Sequence, residues 1–224
     1  MYTKAGYGTT STMPRTTSHP TREKILIATL ELMESAGGAD AVTMRGVATS
    51  VGMTAMAIYK HFQDRDALLR AVTAAEYPRI AKYFERANAK KNVPGLRGML
   101  GYLDYAFDHP QLFRYMFSGR RADAFSFPQD IKGNKSPTFN ILQTVVSQLM
   151  DRRVFGRDDV GETALSIWAH AHGLIMLYLN GRIALTRGAF RGLYMRSLDR
   201  LVHGLQDKST QNPSVKTAPA FLAP

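Results

Sequence analysis

Residues Thr43 to Phe62, TMRGVATSVGMTAMAIYKHF, constrain the fold more than any other stretch of the chain. Met44, Val47, Ala48 and Val51 recur at i, i+3, i+4 and i+7, which places one apolar stripe on a short helix. Gly52 follows with a backbone suited to a sharp corner, and Thr54 is a good N-cap for a second helix. On that second helix Ile58 and Phe62 point one way, while Ala55, Met56, Tyr59 and Lys60 share another face. A short helix that buries one side and offers small, aromatic and basic groups on the other fits a DNA major groove. The stretch therefore reads as a helix-turn-helix.

The flanking sequence supplies what such a unit needs. Thr21 to Ala36 reads as a broadly apolar helix, with Pro20 before it and Gly37-Gly38 after it. Asp40 to Val42 is a short connection, and Thr43 caps the next helix. A fourth helix follows the polar corner Gln63-Asp64-Arg65-Asp66, and Pro78 is expected to kink or restart it, because Ile80, Tyr83, Phe84 and Ala87 resume helical spacing. Beyond a loop at 88–95, helices are expected at 96–107, 111–117, 138–153, from Asp158 or Asp159 through Arg182, and at 190–205, with a long loop at 118–137. No strand alternation and no internal repeat is evident. The expected class is all-α: a three-helix helix-turn-helix head at 21–76, a larger helical ligand-binding and dimerisation domain at 77–207, and disordered tails at 1–20 and 208–224.

Composition narrows the function classes. The chain has 224 residues, 45% of them hydrophobic, enough for a real core. It has no cysteine, so disulfides, thiolate zinc sites and cysteine nucleophiles are excluded, in keeping with a reducing cytoplasm. The first residues hold no apolar signal core, and the longest apolar candidate, Leu165 to Leu179, is interrupted by His170 and His172. It is shorter than a bilayer span, so a soluble protein with no membrane partner is expected. The net charge is +11, yet residues 1–75 hold eight Lys/Arg against six Asp/Glu, or +2. The remaining +9 lies beyond the head, so bulk charge aids encounter with a polyanion without locating the footprint.

The residues from Thr21 to Val72 resemble the N-terminal domain of the tetracycline-repressor family of transcriptional regulators. The likeness rests on a T-R-x-x-I-L start, V-T-M-R-x-V-A before the turn, V-G-x-T at the turn, then I-Y-x-H-F and A-L-L. HPQLFRYMFSG, and Trp168 followed by His172-Gly173, resemble one C-terminal subclass with a W-x-x-x-H-G signature. The resemblance implies a homodimer joined through the last two long helices, and an effector cavity that biases the spacing of two DNA-reading heads. It also implies phosphate anchors at Thr43, Thr54, Tyr59, His61 and Arg65, with Arg45, Ala55, Met56 and Lys60 facing or approaching bases. Many members carry lysine where this chain has Arg65, and either cation binds phosphate.

The chemistry of the residues fits these roles. Thr43 and Thr54 open helices, whose N-termini attract phosphate. Arg45 can pair bidentately with guanine, and Ala55 and Met56 can meet thymine methyls or permit close approach. An aromatic and methionine-rich interior is expected, with an apolar effector pocket drawn from Met99, Tyr102, Leu103, Phe107, Phe113, Met116, Phe117, Phe139, Trp168 and His172. Trp168 and His172, at i and i+4, are expected to pack together. His170 and His172, at i and i+2, fall on different faces, unlike a helical zinc pair, so no metal is expected. Asp104 and Asp108 share a face, but no nucleophile, phosphate loop or metal motif accompanies them; neither cofactor nor enzymatic activity is expected.

The function implied is a dimeric, sequence-specific regulator, a repressor released from a palindromic double-stranded DNA operator by a small apolar or aromatic effector. Two alternatives stand beside it. One is a helical small-molecule-binding protein or enzyme with a vestigial head; the other is a nonspecific basic DNA-coating protein.

Overall fold

Capping side chains set most of the helix starts. The computed structural model describes residues 20–89, 96–117, 126, 127, 129 and 136–206. In chain order the helices are α1 (Pro20–Ser35), α2 (Met44–Ser50), α3 (Ala55–Tyr59), α4 (Arg65–Asn88), α5 (Gly98–Asp108), α6 (Pro110–Phe117), α7 (Pro137–Asp151), α8 (Val160–Leu179) and α9 (Arg187–Leu205). A 3-10 turn, Ala39–Ala41, fills the connection between α1 and α2. Thr43, Thr54, Asp64, Ser136, Asp159 and Thr186 each accept a backbone N–H in the first turn of the helix they precede. Among the described residues no strand forms; Phe155 and Gln206 make one isolated bridge. The chain is all-α, with a helix-turn-helix head and a larger helical C-terminal part. The expected tails and most of the expected 118–137 loop lie outside the described residues.

Several helix boundaries differ from the sequence expectation by one to three residues, and α9 begins at Arg187 rather than 190 under the Thr186 cap. Pro78 neither ends nor restarts α4, which runs unbroken for 24 residues. Proline removes one N–H and so orphans the Ala74 carbonyl, but Ala74 and Pro78 are both exposed and water can serve that carbonyl. The proposed division between residues 76 and 77 therefore falls inside a continuous helix. α8 ends at Leu179 rather than Arg182, because Gly181 turns into the left-handed region with φ +70.

α1, α2 and α3 enclose the head's core, in which Ile25, Met33, Val47, Ile58 and Phe62 are buried. The first half of α4 closes this core with Leu68, Leu69 and Val72; the second half enters the larger core with Ile80 and Phe84. α5 lies unusually close to α4. A Cβ on Gly101 would stand 2.2 Å from the Tyr83 carbonyl oxygen, so any other residue there would force the two helices apart. α8 and α9 pack beside α5 through Ile175, Phe190, Tyr194 and Leu198, and the Tyr194 hydroxyl donates to the Met99 carbonyl at 2.8 Å.

Candidate DNA-reading face and effector cavity

The head presents a short helix on a capped corner. The Thr43 hydroxyl oxygen accepts from Gly46 N at 3.0 Å, and that of Thr54 accepts from Ala57 N at 3.2 Å. Between them Gly52 has φ +69, and Met53 N donates to the Ala48 carbonyl at 2.9 Å, closing the turn. Burying Ile58 and Phe62 turns the opposite side of α3 outward. Met56 is 70% exposed and Tyr59 49% exposed, although both are large and apolar enough to prefer a core. Lys60, Thr43, Thr54 and Arg45 are exposed as well, while Ala55 and His61 are half-buried.

Arg65 has a different situation. Its Nε donates to the Val42 carbonyl at 2.7 Å and its Nη2 to the Ala39 carbonyl, with Asp40 and Asp66 carboxylates at 3.9 and 3.7 Å. The guanidinium fastens the start of α4 to the α1–α2 connection, and so positions the reading unit. Sequence reasoning passed over Arg22, an exposed cation on α1 whose guanidinium lies 4.8 Å over the Phe62 ring. Its signal was a lone arginine in the first turn, which has no periodicity to mark it.

A cavity of about 120 Å³ lies where the linking helix meets the C-terminal helices. Of the residues expected to line it, Met99, Tyr102, Met116, Phe117, Phe139 and Trp168 do so. Leu103, Phe107, Phe113 and His172 lie off its wall: Leu103 and Phe113 are buried core, and Phe107 packs its ring against Phe190 and Tyr178. α4 contributes Tyr77, Ile80 and Phe84, and the wall is completed by Leu142, Leu165 and Phe127, with Ser136 and Thr138 at the start of α7. The α4 residues escaped the sequence reading because their spacing serves equally for any buried helix face.

The polar atoms of Trp168, Tyr102 and His172 satisfy one another. Trp168 Nε1 donates to the Tyr102 hydroxyl at 3.2 Å, and that hydroxyl lies 3.0 Å from His172 Nδ1. Burial pushes the His172 imidazole down from 6.5 to about 4, so it is neutral at pH 7. One proton lies between the Tyr102 hydroxyl and Nδ1, and the imidazole tautomer sets which of the two donates it. Burial also pushes the Tyr102 phenol well above its ordinary value. Trp168 and His172 stack at 5.1 Å between ring centroids. His170 faces the other way, 3.0 Å from the Ser197 hydroxyl of α9. Among the described residues no group of three or more His, Asp or Glu side chains is placed to hold a metal.

Two contacts, one half-buried and one buried, join the head to the cavity's supports. Glu34, near the end of α1, accepts from the Gln111 and Leu112 backbone N–H groups at 3.0 and 2.9 Å, and so caps α6. Glu76 of α4, 3% exposed, accepts from the Tyr105 hydroxyl at 3.2 Å and pairs with Arg79 at 3.3 Å.

Residues 25–72 match the family model for bacterial regulatory proteins of the tetR family, and residues 97–205 match that for the tetracyclin repressor-like C-terminal domain. The chain is 27% identical over 169 residues to the nucleoid occlusion factor SlmA of Serratia proteamaculans (strain 568), covering 70% of this chain and 82% of that protein. A protein described as of unknown function from Rhodococcus sp. RHA1 has a similar structure, with TM-score 0.67 and 19% identity over 86% of this chain and 98% of that one. So does a TetR-family transcriptional regulator from Pectobacterium atrosepticum, with TM-score 0.66 and 18% identity over 88% of this chain and 99% of that one.

Proposed function

Because the chain belongs to the tetR family and is therefore a DNA-binding transcriptional regulator, we propose that it is a dimeric repressor released from a palindromic operator by a small apolar or aromatic effector. The observation that carries this reading is the continuity of α4: Arg65 at its start anchors the reading unit, and Tyr77, Ile80 and Phe84 farther along the same helix form part of the cavity wall. An occupant of the cavity that favours one α4 position thereby favours one head position, and shifts the equilibrium by its differential affinity for the two.

Arg45, Ala55, Met56 and Lys60 face or approach bases; Thr43, Thr54, Tyr59, His61 and Arg65 anchor phosphates, with Arg22 beside them. Arg65 holds the unit in register. Family members dimerise, and the outward faces of α8 and α9 support placing the seam there. Leu177 of α8 is 47% exposed, Leu185 in the connection to α9 is 42% exposed, and a Cβ on Gly173, Gly188 or Gly204 would meet open space, so a second copy can approach closely. Two heads would then read successive major grooves about 34–36 Å apart. No helix among the described residues is long and apolar enough to cross a membrane, in keeping with a regulator acting in the cytoplasm.

The test is fluorescence anisotropy with DNA flanking the protein's own gene, at fixed salt. Specific binding should exceed binding to unrelated DNA by about 10³ or more. Tyr59→Ala should weaken specific binding about tenfold, the scale of one good base or phosphate contact, with helical content unchanged. Equal affinity for all sequences would defeat the operator reading; unchanged affinity in the variant would remove Tyr59 from the reading face.

A further inference from the structure

We infer that the cavity takes a neutral, single-ring aromatic molecule bearing one oxygen acceptor, with the ring against Trp168, Tyr102 and Phe117 and the oxygen at the first turn of α7. The inference rests on the effector reading of this cavity and adds the chemistry of the effector. Size comes first. About 120 Å³ is close to the roughly 150 Å³ apolar cavity that holds benzene, so one ring fills it and a fused polycycle does not.

The charge follows from the wall. Among the described residues the lining has no Lys, Arg, His, Asp or Glu, so none of these residues offsets the hydration that a buried ion would lose. Nor can the aromatic wall offer polar groups in compensation. The Trp168 N–H is given to Tyr102 and the Tyr102 hydroxyl is paired with His172 Nδ1, so these rings present mainly their faces and edges. That arrangement favours another aromatic ring.

A polar end lies at α7, where Ser136 and Thr138 meet the cavity. Ser136 is 5% exposed and accepts from Phe139 N at 3.4 Å, while its own hydroxyl proton has no acceptor among the described residues. Thr138, beside it on the cavity wall, likewise has no hydrogen-bond partner for its side chain among those residues. Two hydroxyl donors at the mouth of a helix N-terminus suit a carbonyl or phenolic oxygen. The unbalanced partial charge there is about half an elementary charge, too little to hold a carboxylate in an otherwise apolar cavity.

Trp168 is the chain's single tryptophan, so its emission reports on this wall alone. Acetophenone, ethylbenzene and sodium benzoate would be titrated at pH 7 into the full-length protein, followed by Trp168 fluorescence and calorimetry. Acetophenone should bind saturably. Ethylbenzene should bind about three- to tenfold more weakly, the range of one net hydrogen bond, and benzoate at least as weakly as ethylbenzene. Thr138→Val should lower affinity for acetophenone and leave ethylbenzene unchanged. Leu142→Trp, which fills the cavity, should abolish both while circular dichroism still reports a folded helical protein. If Leu142→Trp fails to fold, the Thr138→Val comparison decides alone. Benzoate binding tighter than acetophenone, equal effects of Thr138→Val on both neutral probes, or no saturable binding of either would overturn the inference. Saturable acetophenone binding that leaves the DNA complex intact would uphold the ligand class and sink the effector reading instead.

Discussion

At the scale of single residues, His172 is the group whose titration the fold moves out of the neutral range. Its ordinary value is 6.5 and burial lowers it to about 4 in the folded protein. Below pH 6.5 the unfolded chain therefore takes up a proton that the folded chain refuses, and stability falls as the pH drops through the window from 6.5 to 4. Partial exposure moderates the effect, so the loss between neutral pH and about pH 5 should be about 1–2 kcal/mol. Urea midpoints across that range should decline steeply for the native protein. His172→Gln, which keeps an acceptor for Tyr102 but cannot charge, should flatten the decline; identical slopes would mean that His172 carries no such linkage.

At the scale of elements, the Glu34 cap makes α6 dependent on α1. α6 has only eight residues, so losing the acceptors of two N–H groups in its first turn removes a large part of its support. Glu34→Ala should cost about 1–2 kcal/mol and speed amide exchange at Gln111 and Leu112, read by hydrogen-exchange NMR. Exchange unchanged at those two amides would show that the cap contributes nothing. This contact was invisible in the sequence, because its partners stand 77 and 78 positions apart and neither belongs to a motif. What was legible was local. The caps at Thr43, Thr54 and Asp159 and the Gly52 corner announce themselves within a few residues. Six of the ten expected pocket residues line the cavity, but nothing in a helical spacing separates Tyr102, on the wall, from Leu103, behind it. Likewise no local pattern reveals that Arg65, expected as a phosphate anchor, also meets the Val42 and Ala39 carbonyls.

At the scale of the whole molecule, affinity for DNA is expected to come from pairing two modest heads. The head has little of the excess charge, since +2 of +11 lies in residues 1–75, so the salt-dependent attraction of the remainder assists encounter more than selection. Joining two heads makes the second contact effectively intramolecular, which is worth about 10²–10⁴ in avidity. Leu177→Arg places a charge on the exposed face of α8 and should shift the protein toward monomer in sedimentation velocity. Operator affinity should fall about 100-fold or more in that variant, with the monomer's helical content intact. A dimer that persists would move the seam to another face.

The unbroken course of α4 has a geometric consequence for the head. At 1.5 Å per residue, the stretch from Phe84 back to Arg65 is a rigid arm of about 28 Å. A tilt of about 5° at the cavity end would carry the reading unit through about 2.5 Å, and arms related by a two-fold axis in a dimer would change the separation of the heads by up to about 5 Å. Adjacent base pairs are about 3.4 Å apart. A single ring displacing Phe84 and Ile80 by a fraction of a bond length would therefore be enough to put one head out of phase with its half-site.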